Sequence, residues 1–171
     1  SGVVAPGPGG PEGLVGASLR AFRSALRAWY GGRARRLRIR TTRDPWAILV
    51  SEVMAQQTQI ARVDEAWVVF MERYPTPRDL ADAPTADVLR AWAGLGYNRR
   101  ALNLQRAATA IEADHRGRVP SDIVELEALP GVGPYTARAV AAIAFGQPVA
   151  AVDTNVRRVV SRVLGEDLGP A

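Results

Sequence analysis

The sequence predicts an all-α domain. Apolar residues recur at intervals of three and four along most of the chain, and the strict alternation that is typical of strands is absent over any length. Glycine, proline and capping residues interrupt this pattern at short intervals, which indicates short helices joined by tight loops. A chain of 171 residues suits one domain with a sizeable core.

The beginning of the chain differs in composition from the rest. Residues 1–16 are rich in Gly and Pro and lack the charged and apolar segments of a signal peptide. We therefore expect a disordered leader over residues 1–16 and a folded domain over residues 17–171. No run of about 18 apolar residues occurs, so no membrane span is expected.

The first half of the chain has three helical regions. Apolar residues at helical spacing predict a helix over 19–29, which we expect Gly31-Gly32 to end. Residues 45–71 have room for two helices. Thr85 is expected to cap a further helix, which ends at one of the two glycines of Gly94-Leu95-Gly96-Tyr97.

The second half continues in the same way. A helix is predicted over 98–115, and Ser121 is expected to cap a short one. Pro134 fits the first turn of the next helix, which ends near Gly146. A last helix begins at Asp153 or Thr154.

The segment with the clearest chemical meaning is 129–137, Leu-Pro-Gly-Val-Gly-Pro-Tyr-Thr-Ala. A Gly-x-Gly turn that opens a helix points backbone N–H groups outward, and the helix dipole adds partial positive charge. This arrangement suits a DNA phosphate. Asp153 follows Tyr135 after one short helix and one loop, so a carboxylate is expected beside the turn.

Glu52 is a candidate acid. It lies among apolar residues in a helical segment, and a desolvated carboxyl group there would stay protonated and could donate a proton. An exposed helix glutamate is the alternative. The amides of Gln56 and Gln57, followed by Thr58, favour the first interpretation because such side chains can read base edges.

Asp153 and the Gly94–Tyr97 loop each have a purely structural alternative. Asp153 is a good N-cap, but a capping carboxylate can also stay charged, and one protonated and one charged acid divide the work in glycosidases. The loop glycines can serve as C-caps. Leu95 and Tyr97 could instead project as a wedge into a base stack.

Composition narrows the function classes. The net charge is +5, and all 22 Lys and Arg residues are arginines, which suits a polyanionic partner. We interpret the densest cluster as an arm that contacts phosphates, with a solvated loop as the alternative; it comprises Arg35, Arg36, Arg38, Arg40 and Arg43. The chain has no cysteine and one histidine, so disulfides and cysteine-ligated metal sites are excluded within it.

Together these motifs resemble the helix-hairpin-helix-GPD superfamily of base-excision DNA glycosylases, most closely its adenine DNA glycosylase branch (MutY type). The resemblance covers roughly residues 37–164. It rests on five segments in the family's order and spacing: 44–46, 51–58, 94–97, the hairpin at about 122–145, and 152–156.

The resemblance implies a six-helix barrel, base flipping and a role for each matching residue. Glu52 corresponds to the acid that protonates adenine as it leaves, and Asp153 to the carboxylate that stabilises the oxocarbenium-like sugar. Tyr135 and Asn155 correspond to residues that assist them. The remaining matches correspond to DNA-contacting positions: Arg40, Gln56, Gln57, Thr58, Leu95, Gly96, Tyr97, Gly131, Val132 and Gly133.

The resemblance also implies partners and cofactors. The expected partner is duplex DNA with adenine opposite 8-oxoguanine or guanine, bound by a monomer in the bacterial cytoplasm, at the nucleoid. Relatives that also cut the strand use a lysine, where this chain has Tyr135, so a hydrolase without lyase activity is predicted. An iron–sulfur cluster is typical of the family, but its cysteines are absent, and we expect no cofactor in this chain.

Two other functions stay open. A glycosylase that removes thymine or uracil opposite guanine is the first, because Ile39 stands where the adenine branch usually has tryptophan. A non-catalytic DNA-binding fragment is the second. The presence of both Glu52 and Asp153 argues against the fragment, because phosphate binding needs neither.

Overall fold

The computed structural model describes residues 11–34 and 36–165, with side chains from residue 18 onward. Within these ranges it contains nine α-helices, one 3-10 turn and no strand, so the all-α prediction is confirmed. None of the described helices has the combination of length and apolarity that crossing a membrane requires. The chain divides into two compact units, residues 1–36 and 37–171.

The described part of the first unit is helix α1, Pro11–Arg33. It begins inside the segment predicted to be a disordered leader, whose residues 1–10 lie outside the described part of the chain. It also continues through Gly31-Gly32, so the prediction that this pair ends the helix is wrong. A glycine costs a helix only about 1 kcal/mol, and the Ala34 N–H still donates to Tyr30 O at 2.7 Å.

The second unit begins with the 3-10 turn and continues through eight helices. In chain order, they are the turn Arg38–Arg40, α2 (Pro45–Ala55), α3 (Ile60–Arg73), α4 (Pro77–Ala81), α5 (Thr85–Ala91), α6 (Arg99–His115), α7 (Ile123–Ala128), α8 (Pro134–Phe145) and α9 (Thr154–Leu164).

Helix α2 is the centre of this unit. Residues 46–51 are all buried, as are Val53 and Met54, so the helix is apolar on nearly every side. It packs against α3, α6 and α8. Glu52 lies on this helix, so its carboxyl group is surrounded by apolar side chains.

Helix caps account for most of the boundaries. Asp44 caps α2 and Asp153 caps α9, while Pro134 opens α8 and the left-handed Gly146 ends it. The cap of α7 is Asp122, whose carboxylate accepts from two backbone N–H groups, so the prediction of Ser121 was wrong by one residue.

Two details of the middle region differ from the sequence prediction. Thr85 is the first helical residue of α5 and makes no side-chain cap; its hydroxyl donates to Gln105 instead. Helix α4 was not predicted. Its Thr76 and Asp79 form a reciprocal capping box around Pro77, a pattern that is visible in the sequence.

Candidate active site

Glu52 lies on α2, on the side that is not fully enclosed. Its neighbours Ser51 and Val53 are buried, and its own side chain is half-buried. Burial raises the pKa of the Glu52 carboxyl above its ordinary value. The group is therefore biased towards the protonated form that can donate a proton.

Tyr135, in the first turn of α8, shows that the two predicted acids lie near each other. Burial raises the pKa of its phenol, and the negative charges of Glu52 and Asp153 raise it further. Both carboxyl groups are therefore within electrostatic range of the same hydroxyl. The fold thus places Glu52 and Asp153 near Tyr135, although Glu52 precedes Tyr135 by 83 residues and Asp153 follows it by 18.

Asp153 is held in place by hydrogen bonds to both carboxylate oxygens. Oδ1 accepts from the Val156 N–H at 2.7 Å, and Oδ2 accepts from Asn155 Nδ2 at 3.4 Å. The capping interpretation is therefore correct. Because α9 fixes its orientation, the same carboxylate can also present negative charge at a defined position.

The hairpin between α7 and α8 leaves two of its backbone N–H groups without an internal acceptor, and Val132 differs from the prediction. The Val132 N–H donates to Leu129 O at 3.1 Å, and the Val132 side chain is only 6% exposed, so neither faces outward. The N–H groups of Gly131 and Gly133 have no acceptor within residues 11–34 and 36–165. These two N–H groups, at the start of the 12-residue α8, are the donors of the turn that an anion could use.

Gly131 packs too closely against α6 for any other residue. Its φ is +80°, and an added Cβ would lie 2.7 Å from Asn103 Cβ. We expect Gly131→Ala to lower the free energy of unfolding by about 2 to 4 kcal/mol, because it combines a left-handed alanine with overpacking. Chemical denaturation measures this loss.

Gly133→Ala is the matched control for that variant. Its φ is an ordinary −93°, and no atom lies within 4 Å of an added Cβ. We expect a change within about 1 kcal/mol. Equal losses in the two variants would contradict a specific contact between the turn and α6.

The segment after α2 is divided between the interior and the surface. Gln56 Nε2 donates to Gly131 O and to Thr136 Oγ1, at 3.4 Å each, so this amide links α2 to the hairpin. The Gln57 side chain is exposed, and its backbone is left-handed with φ 56°. The Thr58 hydroxyl lies 3.4 Å from Leu95 O, which brings this segment against the 94–97 loop.

That loop presents one of its two predicted wedge residues. Tyr97 is 65% exposed with φ 48°, whereas Leu95 is 5% exposed and packs in the core. The side chain available to enter a base stack is therefore Tyr97. Gly96 follows a left-handed path, and its carbonyl accepts from the Trp92 indole at 3.2 Å.

Arg100 and Thr136 belong to the site, and the sequence interpretation did not include them. The Arg100 guanidinium lies between the segment after α2 and the 94–97 loop and donates hydrogen bonds to both. The helical spacing indicates that Arg100 is on the buried face of α6, because Leu104, Ala107 and Ile111 follow it at intervals of three and four and are buried. Thr136 is buried, and its hydroxyl accepts from Gln56 Nε2.

The arginine cluster is only partly available to a phosphate. Arg38 pairs with the buried Asp64 at 3.1 Å, and Arg43 donates to Ile143 O at 2.8 Å. Burial of Asp64 acts to raise its pKa, but hydrogen bonds from Ile39 N–H and Arg38 outweigh that effect and lower it. Arg40 ends the 3-10 turn and is exposed, whereas Arg35 lies outside the described residues.

The side chains do not fit an iron–sulfur cluster. Its ligands are cysteine thiolates, and the sequence has none. In the described part of the chain, no group of three or more His, Cys, Asp or Glu could hold a metal ion. A cavity of about 400 Å³ lies near Trp46 and Phe145, and Glu52, Tyr135 and Asp153 are not among the residues that line it.

Two curated relatives resemble most of this chain. An adenine DNA glycosylase of Mycobacterium tuberculosis H37Rv is 52% identical over 155 residues, which cover 90% of this chain and 51% of that protein. A thymine-DNA glycosylase of Aeropyrum pernix is 38% identical over 149 residues, or 86% of this chain and 67% of that protein. The chain thus spans about half the length of the adenine relative.

A solved structure and a family profile agree with these matches. The structure is a trapped covalent complex of endonuclease III with DNA, which has a TM-score of 0.76, 32% identity, and coverage of 87% of this chain and 68% of that one. Residues 50–168 match the profile described as HhH-GPD superfamily base excision DNA repair protein. The chain belongs to the HhH-GPD superfamily.

Proposed function

We propose that this protein is a monofunctional DNA glycosylase that removes adenine paired with 8-oxoguanine or guanine. The observation that carries the proposal is that Glu52, desolvated on α2, and Asp153, fixed at the start of α9, are both near enough to Tyr135 to raise the pKa of its phenol. One acid is desolvated and the other is held by donors. Cleavage of a glycosidic bond requires this asymmetry, because one acid donates a proton and the other stabilises positive charge.

Each group has a defined task in the reaction. The target nucleotide is flipped out of the duplex, because its glycosidic bond is not accessible inside the stack. Glu52 donates a proton to the adenine ring while the bond from the sugar C1′ to the base breaks and its electron pair leaves with the base. The Asp153 carboxylate stabilises the resulting oxocarbenium-like sugar. Water then adds to C1′ and loses a proton, which leaves free adenine and an abasic sugar.

Strand cleavage is not part of the proposal. A lyase forms a Schiff base between an amine and the sugar, and the sequence contains no lysine. Tyr135 occupies the place just after the hairpin, and its raised pKa keeps the phenol protonated. The product is therefore an abasic site in an intact strand.

Duplex DNA is the proposed partner. The two free hairpin N–H groups and the exposed Tyr97 and Gln57 support this assignment, as does the similarity to a protein that was trapped on DNA. We further propose that the protein acts as a monomer in the bacterial cytoplasm. No cofactor is assigned to this reaction scheme.

The second candidate is removal of thymine or uracil opposite guanine. The 38% identity to a thymine-DNA glycosylase favours it. Ile39 favours it as well, because it stands where the adenine branch usually has tryptophan. The adenine assignment is preferred because the adenine DNA glycosylase of M. tuberculosis is 52% identical.

A panel of duplexes tests the assignment. The protein is incubated with duplexes that contain A:8-oxoguanine, A:G, T:G or U:G, and the released base is identified by chromatography. We expect adenine from the first two, with the strand intact until alkali is added. Release of thymine or uracil alone would support the second candidate, and no release by folded protein from any duplex would overturn both.

The pH dependence of the reaction follows from Glu52. Because burial raises the pKa of this acid, its protonated form extends to higher pH than that of an ordinary glutamate. We expect kcat/KM to fall as the pH rises through that raised pKa, by about tenfold per pH unit. Single-turnover rates between about pH 5 and 9 measure the effect. A rate that increases along this limb would show that Glu52 acts as a base.

A further inference from the structure

The buried Arg100 side chain connects the two segments that carry the exposed Gln57 and Tyr97. It is 8% exposed, and burial lowers the pKa of its guanidinium. Within the described residues no carboxylate pairs with it. Its NH1 group donates to three carbonyls at the end of α2, those of Val53 (3.1 Å), Met54 (2.8 Å) and Gln56.

The other terminal nitrogen bonds mainly to the 94–97 loop. Arg100 NH2 donates to Leu95 O at 3.0 Å, to Gly96 O at 3.1 Å and to Thr58 Oγ1 at 3.0 Å. Six acceptors on two segments therefore share the four N–H groups of the two terminal nitrogens, while the buried Arg100 Nε has no partner among the described residues. The fork geometry of a guanidinium makes this possible, because it presents several donors in fixed directions.

Each segment contains a non-glycine residue in the left-handed region, directly after a carbonyl that Arg100 holds. Gln57 has φ 56° and follows Gln56, and Tyr97 has φ 48° and follows Gly96. Such conformations persist only where surrounding contacts over-determine them. Arg100 also lies 5.6 Å from the centroid of the Tyr97 ring, within range of a cation–π contact.

We propose that Arg100 is a positioning residue for recognition of the base opposite the flipped nucleotide. It holds Gln57 and Tyr97 in the strained conformations in which their exposed side chains can enter the vacated space together. The proposal rests on the proposed glycosylase function, because it assigns a role within the same DNA interface. A lysine at position 100 has its three donors on one atom, so it cannot reach the carbonyls of both segments as the two terminal nitrogens of the guanidinium do.

The test compares Arg100→Lys with Arg106→Lys, an exposed arginine on the same helix. Dissociation constants are measured for an undamaged duplex and for one with a tetrahydrofuran abasic analogue opposite 8-oxoguanine. A 2-aminopurine beside the analogue reports insertion of a wedge. We expect Arg100→Lys to reduce the preference for the abasic duplex at least tenfold and to diminish the 2-aminopurine signal, while affinity for undamaged DNA changes less than twofold. Arg106→Lys should change none of these values more than twofold.

The tetrahydrofuran duplex has no base to release, so this result is separate from failure of the glycosylase assay. An unchanged preference in folded Arg100→Lys would overturn the proposal. Equal weakening for both duplexes, together with a lower Tm, would show a purely structural role and would also overturn it. If Arg100→Lys does not fold, Arg100→Gln replaces it with a neutral amide and the same expectation. Failure of both variants to fold would count against the proposal.

Discussion

We expect Glu52→Gln to lower the rate of base release by a factor of about 10² to 10⁴, the range that general acids contribute. The amide has the shape of the carboxyl group but cannot transfer a proton. Since burial raises the pKa of Glu52, its neutral form already suits the site, and an uncharged glutamine should not weaken the fold. The loss corresponds to about 3 to 5 kcal/mol of transition-state stabilisation.

Two measurements separate an effect on the chemical step from an effect on binding: single-turnover release of adenine, and the dissociation constant for DNA. We expect the affinity to change less than about twofold, because phosphate contacts dominate it. Glu72→Gln is the matched control, since it makes the same substitution at an exposed position of α3. A release rate for Glu52→Gln within about tenfold of the unchanged protein would remove Glu52 from the reaction scheme.

Asp153→Asn is expected to slow base release by about 10² to 10³, the cost of removing one electrostatic stabiliser. Asparagine is as good an N-cap as aspartate, so the side-chain bond to the Val156 N–H should persist and α9 should stay folded. The variant therefore removes the negative charge while keeping the cap. A change in Tm of only a few degrees is expected.

Asp122→Asn makes the same chemical change at another helix cap. The Asp122 carboxylate accepts from the N–H groups of Val124 and Glu125, at 2.8 and 3.1 Å, and caps α7. If Asp153 served only as a cap, the two variants would behave alike, with small changes in Tm and no change in rate. A specific loss of rate in Asp153→Asn distinguishes a charge at the reacting sugar from a structural cap.

Local patterns were the reliable part of the sequence interpretation. The helix boundaries at Pro134, Gly146 and Asp153 follow from residues within one turn, and the structure has all three. Errors occurred where two residues compete for one local role, as with Ser121 and Asp122 at the start of α7. The Asp122 carboxylate accepts from two N–H groups there, and a cap preference alone does not distinguish the two residues.

The loops were harder to predict, because their side chains can face either way. Nothing in Gly94-Leu95-Gly96-Tyr97 shows that Leu95 turns into the core and Tyr97 out of it. Gln56 and Gln57 are equally polar, yet one bonds across the interior to Gly131 and the other is exposed. Packing against α6 and the hairpin decides both outcomes.

The sequence by itself determined the helical class, the hairpin turn and the candidate acids Glu52 and Asp153, because these depend on spacing and residue type. Tyr135 was assigned only through the resemblance to the superfamily. Only the tertiary structure decided which groups meet. Gln56 reaches Gly131 across 75 positions, and Arg100 reaches the end of α2 across 44 to 47. Such contacts follow from how helices pack over long separations in sequence, and short-range patterns carry no information about them.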